Sequence, residues 1–442
     1  MFIKSTGRAT MCALAATLAA GAGLLAAGPA HASPTQVEIS PGSSWQQNVD
    51  LVNPIPGVAP RSGSSYVATA WLSAQAGTAT GTLCLEGNCT DYSVTAGTYS
   101  MEQVVYDPHD LSGSTLSFVV TASSGSGTVE LENPSVEPSM AESGSFEDGY
   151  TGWTKLIPSG ATVNMALYNP ADGAPATAHD GTGYLATNTN TANSGVYQEV
   201  ELAYSSSYVA TAWLSSQSGT TTGELCAVAV GASTKNCIPY SVTAGTYTPV
   251  QLVYDNSAGA TFVKLEVLPT ANGGTTDIDT VSLVQNELQS GSFENTYAGW
   301  AKAITGGATV NMALYNPADG APATAHDGAG YLAFNSNPAG GGVAAEAPWD
   351  DEEGSAYVAT AWLSSQSGTA TGSLCLGLAG VITGNCQPYT VTAGTYTEVQ
   401  LVYDVPVGAS VSSILEVQLE AGQGTTDLDT ASLALSTGPL GG

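Results

Sequence analysis

Basic side chains are scarce in this chain. Seven Lys and Arg stand against 37 Asp and Glu, a formal charge of −30. Nucleic acid and anionic membrane surfaces require clustered cations, so neither is an expected partner, whereas a neutral polymer or a cation is compatible with the charge. Histidine is nearly absent too, with four in 442 residues. His179 and His326 sit in equivalent segments, "AHDGTGY" and "AHDGAGY", and His109 in a turn-like "YDPHDLSG". No nucleophile motif accompanies them, and sequence neighbours such as His179 and Asp180 rarely share catalytic geometry. A loop histidine satisfied by its own backbone accounts for them better. No two carboxylates are singled out as a pair for glycoside hydrolysis. A catalytic role is therefore not expected. Long apolar runs are missing beyond the N-terminal segment, so no membrane span is expected, and nothing after residue 32 carries a helical amphipathic period.

What is present begins with a leader. Lys4 and Arg8 precede an Ala, Leu and Gly run from Met11 to Gly28, and Ala30-His31-Ala32 supplies an A-x-A cleavage signal. Residues 1–32 thus have the form of a secretory signal peptide, and the mature chain is expected to be secreted and extracellular. Cys12 lies inside this segment. The other six cysteines fall in pairs around short Gly-containing loops: "LCLEGNC", "LCAVAVGASTKNC" and "LCLGLAGVITGNC". An even count in a secreted chain implies disulfides, and the spacing pairs Cys84 with Cys89, Cys226 with Cys237 and Cys375 with Cys386. Two cysteines per copy with no histidine nearby cannot complete a zinc site.

The same phrase recurs three times, as "SSYVATAWLS" at Ser64, again at Ser206, and "SAYVATAWLS" at Ser355. Each copy continues with its cysteine pair, then "YSVTAGTY" or "YTVTAGTY", then "VVYD" or "LVYD". A repeat roughly 140–150 residues long is a whole domain and not a solenoid turn. Copies two and three also share an upstream half, "SGSFE…GW" followed by "GATVNMALYNPADGAPATAHDG", and a closing "TTDIDTVSL" or "TTDLDTASL". Copy one lacks that upstream half, although "QNVDL" at Gln47 lines up with "QEVEL" at Gln198. It is either a shortened sandwich or a module that borrows a surface from its neighbour. The organisation is therefore residues 1–32 as leader, 33–137 as a partial first repeat, 138–286 as module 2 and 287–442 as module 3.

The local pattern is β throughout. In "YVATAWLS", Tyr66, Ala68, Ala70 and Leu72 share one face, and Val67, Thr69, Trp71 and Ser73 the other. Strands rich in Thr, Val and Tyr are punctuated by Gly, Asn, Pro and Ser. The expected fold is all-β, a tandem of β-sandwich domains with the first one truncated.

The ordered set "GSFE…GW", "YVATAW", "VTAGTY" and "DIDTVSL" resembles carbohydrate-binding modules of the cellulase-C type, grouped with families four, nine and twenty-two. The resemblance covers copies two and three and the latter half of copy one. It implies a jelly-roll sandwich, a structural calcium and glycan binding along a concave sheet face. Carried over by position, the calcium ligands are Glu147 and Asp279 in module 2 and Glu294 and Asp429 in module 3. Copy one has no "GSFE", and no such site is expected there.

The residues themselves nominate a sugar surface. Trp71, Trp213 and Trp362 share a strand face with Thr and Ser, and an indole offers a flat negative platform to the partly positive C–H groups of a sugar ring. Gln103, Gln251 and Gln400 stand two before the Tyr of the "VVYD" or "LVYD" strand, with amides able to donate and accept. Tyr168 and Tyr315 share a face with Asn164 and Asn311, and Tyr197 has Ala344 as its counterpart in copy three. The competing reading places the tryptophans in the core. Trp153 and Trp300 are expected to serve packing. Two functions are compatible with these features: a non-catalytic binder of neutral polysaccharide or glycan acting through tandem modules, or an extracellular structural or adhesive protein that keeps the fold without sugar recognition.

Overall fold

The computed structural model describes residues 37–436 apart from 51–64, 109–114, 170–172, 174, 203–206, 257–258, 317–319, 321–322, 349–355, 379–384 and 405–413. The leader, Cys12 and His109 lie outside the described residues. Three β-sandwiches succeed one another along the chain. Module 1 contains β1 (Val37–Ile39), β2 (Ser44–Asp50), β3 (Ser65–Ala74), β4 (Thr78–Leu85), β5 (Asn88–Thr95), β6 (Ser100–Tyr106), β7 (Thr115–Ala122) and β8 (Val129–Ser139). Module 2 contains β9 (Trp153–Leu156), β10 (Val163–Tyr168), β11 (Tyr184–Thr189), β12 (Gly195–Glu201), β13 (Ser207–Ser216), β14 (Thr220–Ala229), β15 (Asn236–Thr243), β16 (Thr248–Asp255), β17 (Phe262–Pro269) and β18 (Thr276–Asn286). Module 3 repeats that set as β19 (Trp300–Ala303), β20 (Thr309–Tyr315), β21 (Tyr331–Asn337), β22 (Gly342–Pro348), β23 (Ala356–Ser365), β24 (Thr369–Leu378), β25 (Cys386–Thr392), β26 (Thr397–Asp404), β27 (Ile414–Ala421) and β28 (Thr426–Ser436).

Modules 2 and 3 pair a five-stranded sheet ordered β10-β11-β18-β13-β16 (β20-β21-β28-β23-β26) with a second ordered β9-β12-β17-β14-β15 (β19-β22-β27-β24-β25). Module 1 sets β1-β8-β3-β6 against β2-β7-β4-β5, so it is a complete but narrower sandwich of two four-stranded sheets. The alternation of "YVATAWLS" decides the layering. Tyr208, Ala210, Ala212 and Leu214 enter the core of module 2 with Leu225, Leu265 and Ile278, while Val209, Thr211, Trp213 and Ser215 point away from it. Trp153 and Trp300 pack in the cores beside Phe146 and Phe293.

All three disulfides form, and each joins residues directly opposite in a hairpin: Cys84 with Cys89, Cys226 with Cys237, Cys375 with Cys386. β8 runs on to Ser139, and Ala141 and Phe146 already belong to the core of module 2, so the chain passes between the first two modules at Met140. It leaves module 2 after Asn286, where β18 ends, and Leu288 and Phe293 lie in the core of module 3.

The face that points away from each core is not left to solvent. Val67 and Val105 of module 1 cluster with Val284 of module 2 and Ala434 of module 3. A narrow cavity along the same seam is lined by Thr69, Thr211 and Thr360, one from each module at the same repeat position. The three outer sheets therefore meet around a common axis.

Candidate functional site

Trp213 is 5% exposed and lies at the junction with module 1. Its Nε1 donates to Oε1 of Gln103 at 3.0 Å, and the Gln103 amide donates to the Thr69 hydroxyl at 3.0 Å. The next junction repeats the device: Trp362 Nε1 donates to Gln251 Oε1 at 3.1 Å, and Gln251 donates to Thr211 at 3.3 Å. One face of each indole is covered by an imidazole, His179 on Trp213 at 3.9 Å between centroids and His326 on Trp362 at 4.1 Å. These pairings correct the reading of Trp213 and Gln251 as a sugar platform belonging to one module. Alternation correctly put the tryptophan outside the core, but the surface it faces is the neighbouring module. Trp71 and Gln400 occupy the matching positions of the third junction, and there neither Trp71 Nε1 nor Gln400 Oε1 has a hydrogen-bond partner although both atoms are buried.

The histidines belong to a loop that plugs the preceding module. Gly181 N donates to the Cys89 carbonyl at 2.8 Å, Thr90 Oγ1 donates to the His179 carbonyl at 2.6 Å, and Asp180 accepts from Val105 N at 2.8 Å and Asn88 Nδ2 at 3.0 Å. In module 3, Gly328 N reaches the Cys237 carbonyl at 2.8 Å and Asp327 takes Val253 N at 3.0 Å. Gly181 has φ +52°, and a Cβ there would stand 2.3 Å from Asn88 Oδ1, so glycine is required both by conformation and by space. His179 is held by the Thr280 hydroxyl at 2.8 Å and not by its own backbone. Burial depresses its pKa to about 3, and that of His326 to about 4. Thr280 itself sits in a β-bulge, where the register of β13 on β18 shifts between Thr211 and Trp213, and has φ +48°. A β-branched residue at positive φ is strained, and here the bulge turns the hydroxyl toward Asp180 at 2.9 Å.

Two further residues escaped the sequence reading. Asp107 accepts the Gly144 and Ser145 amides and the Ser145 hydroxyl of module 2, and Asp255 does the same for Gly291 and Ser292 of module 3. The signal was visible: each is the Asp of "VVYD" or "LVYD", and each partner is the "SGS" that opens the following module.

The residues nominated for calcium do not fit one. Glu147 Oε1 accepts the Thr182 and Gly183 amides at 2.7 and 2.6 Å, and Oε2 the Thr182 hydroxyl at 2.9 Å. Asp279 accepts the amides of His179, Asp180 and Thr280. In module 3 Asp429 repeats the Asp279 pattern, and Glu294 accepts the Ala329 and Gly330 amides but no hydroxyl, because Ala329 stands where module 2 has Thr182. These carboxylates hold the plug loop through N–H donors, whereas calcium takes six to eight oxygen ligands. Among the described residues no three carboxylates converge closely enough to share one ion. Burial raises the pKa of Asp180 and Asp279, and the Asp180 charge adds to the rise at Asp279.

The other half of the outer sheet carries a different cluster. Tyr168 of β10 stacks on Tyr184 of β11 at 5.6 Å, and Asn164 beside it donates to Asn188 at 2.8 Å. Tyr315 and Tyr331, also at 5.6 Å, and Asn311 and Asn335, at 2.9 Å, repeat this in module 3. On the next strand, level with Ala186 and so between the Tyr and Asn pairs in the register, lies Asp277, 0% exposed and with the Gln217 amide close by. Tyr247 Oη and Gln217 Nε2 beside it are buried as well, and Asp427, Tyr396 and Gln366 form the same set in module 3. Burial pushes Asp277 and Asp427 up to about 7, with the nearby amides of Gln217 and Gln366 opposing the rise. Burial, with the Asp277 charge adding to it, raises Tyr184 to about 12. Among its described residues module 1 has no strand equivalent to β10, and its Tyr99 hydroxyl bonds Glu130 at 3.4 Å. Tyr197 is not part of this cluster. It lies on β12 of the opposite sheet, with the Lys264 ammonium 4.7 Å above its ring.

No family model and no curated protein matches the chain. Among solved structures it is similar to the N-terminal CBM22-1–CBM22-2 tandem of Xyn10C from Paenibacillus barcinonensis, at 14% identity and a TM-score of 0.27, over 66% of this chain and 96% of that one. It is similar also to a structure described as a basis for promiscuous specificity of carbohydrate-binding modules of the β-sandwich superfamily (13%, TM-score 0.24, 62% of this chain and 97% of that one). A Paenibacillus xanthan lyase shares 14% identity at a TM-score of 0.24, over 85% of this chain and 34% of the lyase. Likenesses this distant carry no functional argument, so function has to be read from the side-chain clusters themselves.

Proposed function

We propose that the protein binds a neutral glycan in two equivalent clefts, one on module 2 and one on module 3. The observation that supports this most strongly is the repeated set of incompletely hydrogen-bonded polar groups, Asp277, Tyr247 and Gln217 and their counterparts Asp427, Tyr396 and Gln366, beside a rim of tyrosine and asparagine. Buried polar groups in a folded protein are ordinarily hydrogen-bonded, and here each carboxylate has only the amide of Gln217 or Gln366 close by, so a ligand rich in hydroxyls would complete the set. Sugar hydroxyls both donate to a carboxylate and accept from an amide, and the tyrosine rim supplies an aromatic edge for the ring's apolar face. Two clefts on one chain gain affinity on a polymer through linkage, without any further contact. The proposed role is binding and not turnover.

The test is affinity electrophoresis and calorimetry of the full chain on a panel of soluble neutral polysaccharides, with Tyr168→Ala, Tyr315→Ala and the double variant. Retardation by at least one polymer, weakened about tenfold by each single variant and abolished by the double, supports the proposal. Absence of retardation by every polymer overturns it and leaves the structural or adhesive reading. So does a double variant that binds as the wild type does.

A further inference from the structure

At one end of the seam the three repeated tryptophans converge on a single cavity of about 470 Å³, within the size range of small-ligand sites. Its wall includes Trp71, Trp213, Trp362, Tyr99, Glu102 and Glu398, and none of the residues that line it is basic. Trp213 and Trp362 have one face sealed by histidine and their Nε1 committed to glutamine. Trp71 differs on both counts. Among the described residues no ring stacks on it, and its buried Nε1 has no acceptor. Its wall-mates also differ from those of the clefts, because two carboxylates stand here with no cationic side chain in the lining to balance them.

From this geometry we infer that the cavity is a second binding site, distinct from the glycan clefts, for a small alkylated ammonium ion that carries an oxygen acceptor a few atoms from its nitrogen. Indole faces attract a desolvated cation through the ring quadrupole, and an alkylated ammonium presents the apolar surface that such walls prefer. Glu398, which lies opposite Trp362 in the β23–β26 register, is kept neutral by burial in the free protein and supplies the countercharge by ionising as the cation binds. The acceptor oxygen answers the Trp71 N–H, which is unpartnered among the residues that line the cavity. A neutral sugar brings no charge that would draw Glu398 into its ionised form, and an anion would oppose that ionisation.

The experiment uses the full chain with choline as probe, followed by tryptophan fluorescence and calorimetry. Tetramethylammonium serves as a cation without the oxygen, and glucose as an oxygen-rich ligand without the charge. Choline is expected to give a saturable change, tetramethylammonium to bind more weakly and glucose to give none. Glu398→Gln and Trp71→Phe should each weaken choline about tenfold, with a cooperative melting transition recorded for each variant to show that it is folded. Glu398→Gln is isosteric, so its loss of binding will not reflect loss of fold, and Trp71→Phe keeps an aromatic face on a smaller ring without the N–H. No saturable response to choline at tens of millimolar overturns the assignment, as does an affinity unchanged in both variants or a glucose response equal to that of choline. Tyr168→Ala and Tyr315→Ala leave this site untouched, so failure here is distinguishable from failure of the glycan reading.

Discussion

Gln103 of module 1 accepts a hydrogen bond from the indole of Trp213 in module 2. The two residues stand on equivalent faces of successive repeats, so a contact that sequence alternation assigns to a ligand is made by the protein to itself. Trp213→Ala in the full chain should cost about 3–5 kcal/mol of stability, as for a buried aromatic, with or without any glycan. Denaturant titration checks it. Gln103→Ala with Trp213→Phe should show a coupling energy of about 0.5–3 kcal/mol in a double-mutant cycle, and a cycle that sums to zero would remove the cross-module bond.

Gly181→Ala should loosen the plug between modules 1 and 2 while leaving that between modules 2 and 3 intact. Strain at positive φ costs of order 1–3 kcal/mol, and the clash with Asn88 adds to it. Limited proteolysis should then release module 1 first. Gly328→Ala is the matched variant for module 3, and its clash is with Glu294 and Asn236.

Calcium should leave the melting temperature unchanged, because the carboxylates nominated for it are committed to backbone amides. An ion held at a hundred times its dissociation constant would add about 2.7 kcal/mol. A chelator scan by calorimetry therefore separates the outcomes cleanly: a drop on chelation means that the plug carboxylates share their donors with a metal.

Stability should depend on pH through Glu137 and Glu398, which line the narrow cavity where the three sheets meet. Burial lifts Glu137 to about 7 and Glu398 to about 8. Folded pKa values above the unfolded value of about 4.3 mean that their contribution is complete below about pH 4. It is lost as pH rises through 7 to 8. The buried histidines act with the opposite sign, contributing above about pH 6.5 and losing that as pH falls. A Glu137→Gln, Glu398→Gln double variant isolates the first effect. It should melt with the wild type at pH 5 and above it at pH 8. Equal melting at both values would mean that these carboxylates are not enclosed when the modules are together.

The sandwich fold, the strand faces and the hairpin disulfides were legible because each depends on local order, namely alternation of residues and short loops between paired cysteines. What alternation cannot register is the identity of the body that a non-core face meets. Val209, Thr211 and Trp213 have the same pattern whether they meet sugar, water or a neighbouring sheet. Tyr197 was misplaced for a related reason. Its strand pairs with β17 in the other sheet, and only that long-range register shows Lys264 over its ring. Asp180 was rightly not read as a companion of His179, but nothing local could name its partners Asn88 and Val105, far back in the chain.

The plug loop also imposes a direction on biosynthesis. Module 1 leaves the ribosome with the Val105 amide and the Cys89 carbonyl still waiting for groups encoded beyond it, and they are met only once Asp180 and Gly181 have been translated. Module 2 waits in turn for Asp327 and Gly328. Each newly made domain closes the one before it, so a chain truncated after Ser139 or Asn286 ends in a domain whose last partner was never made.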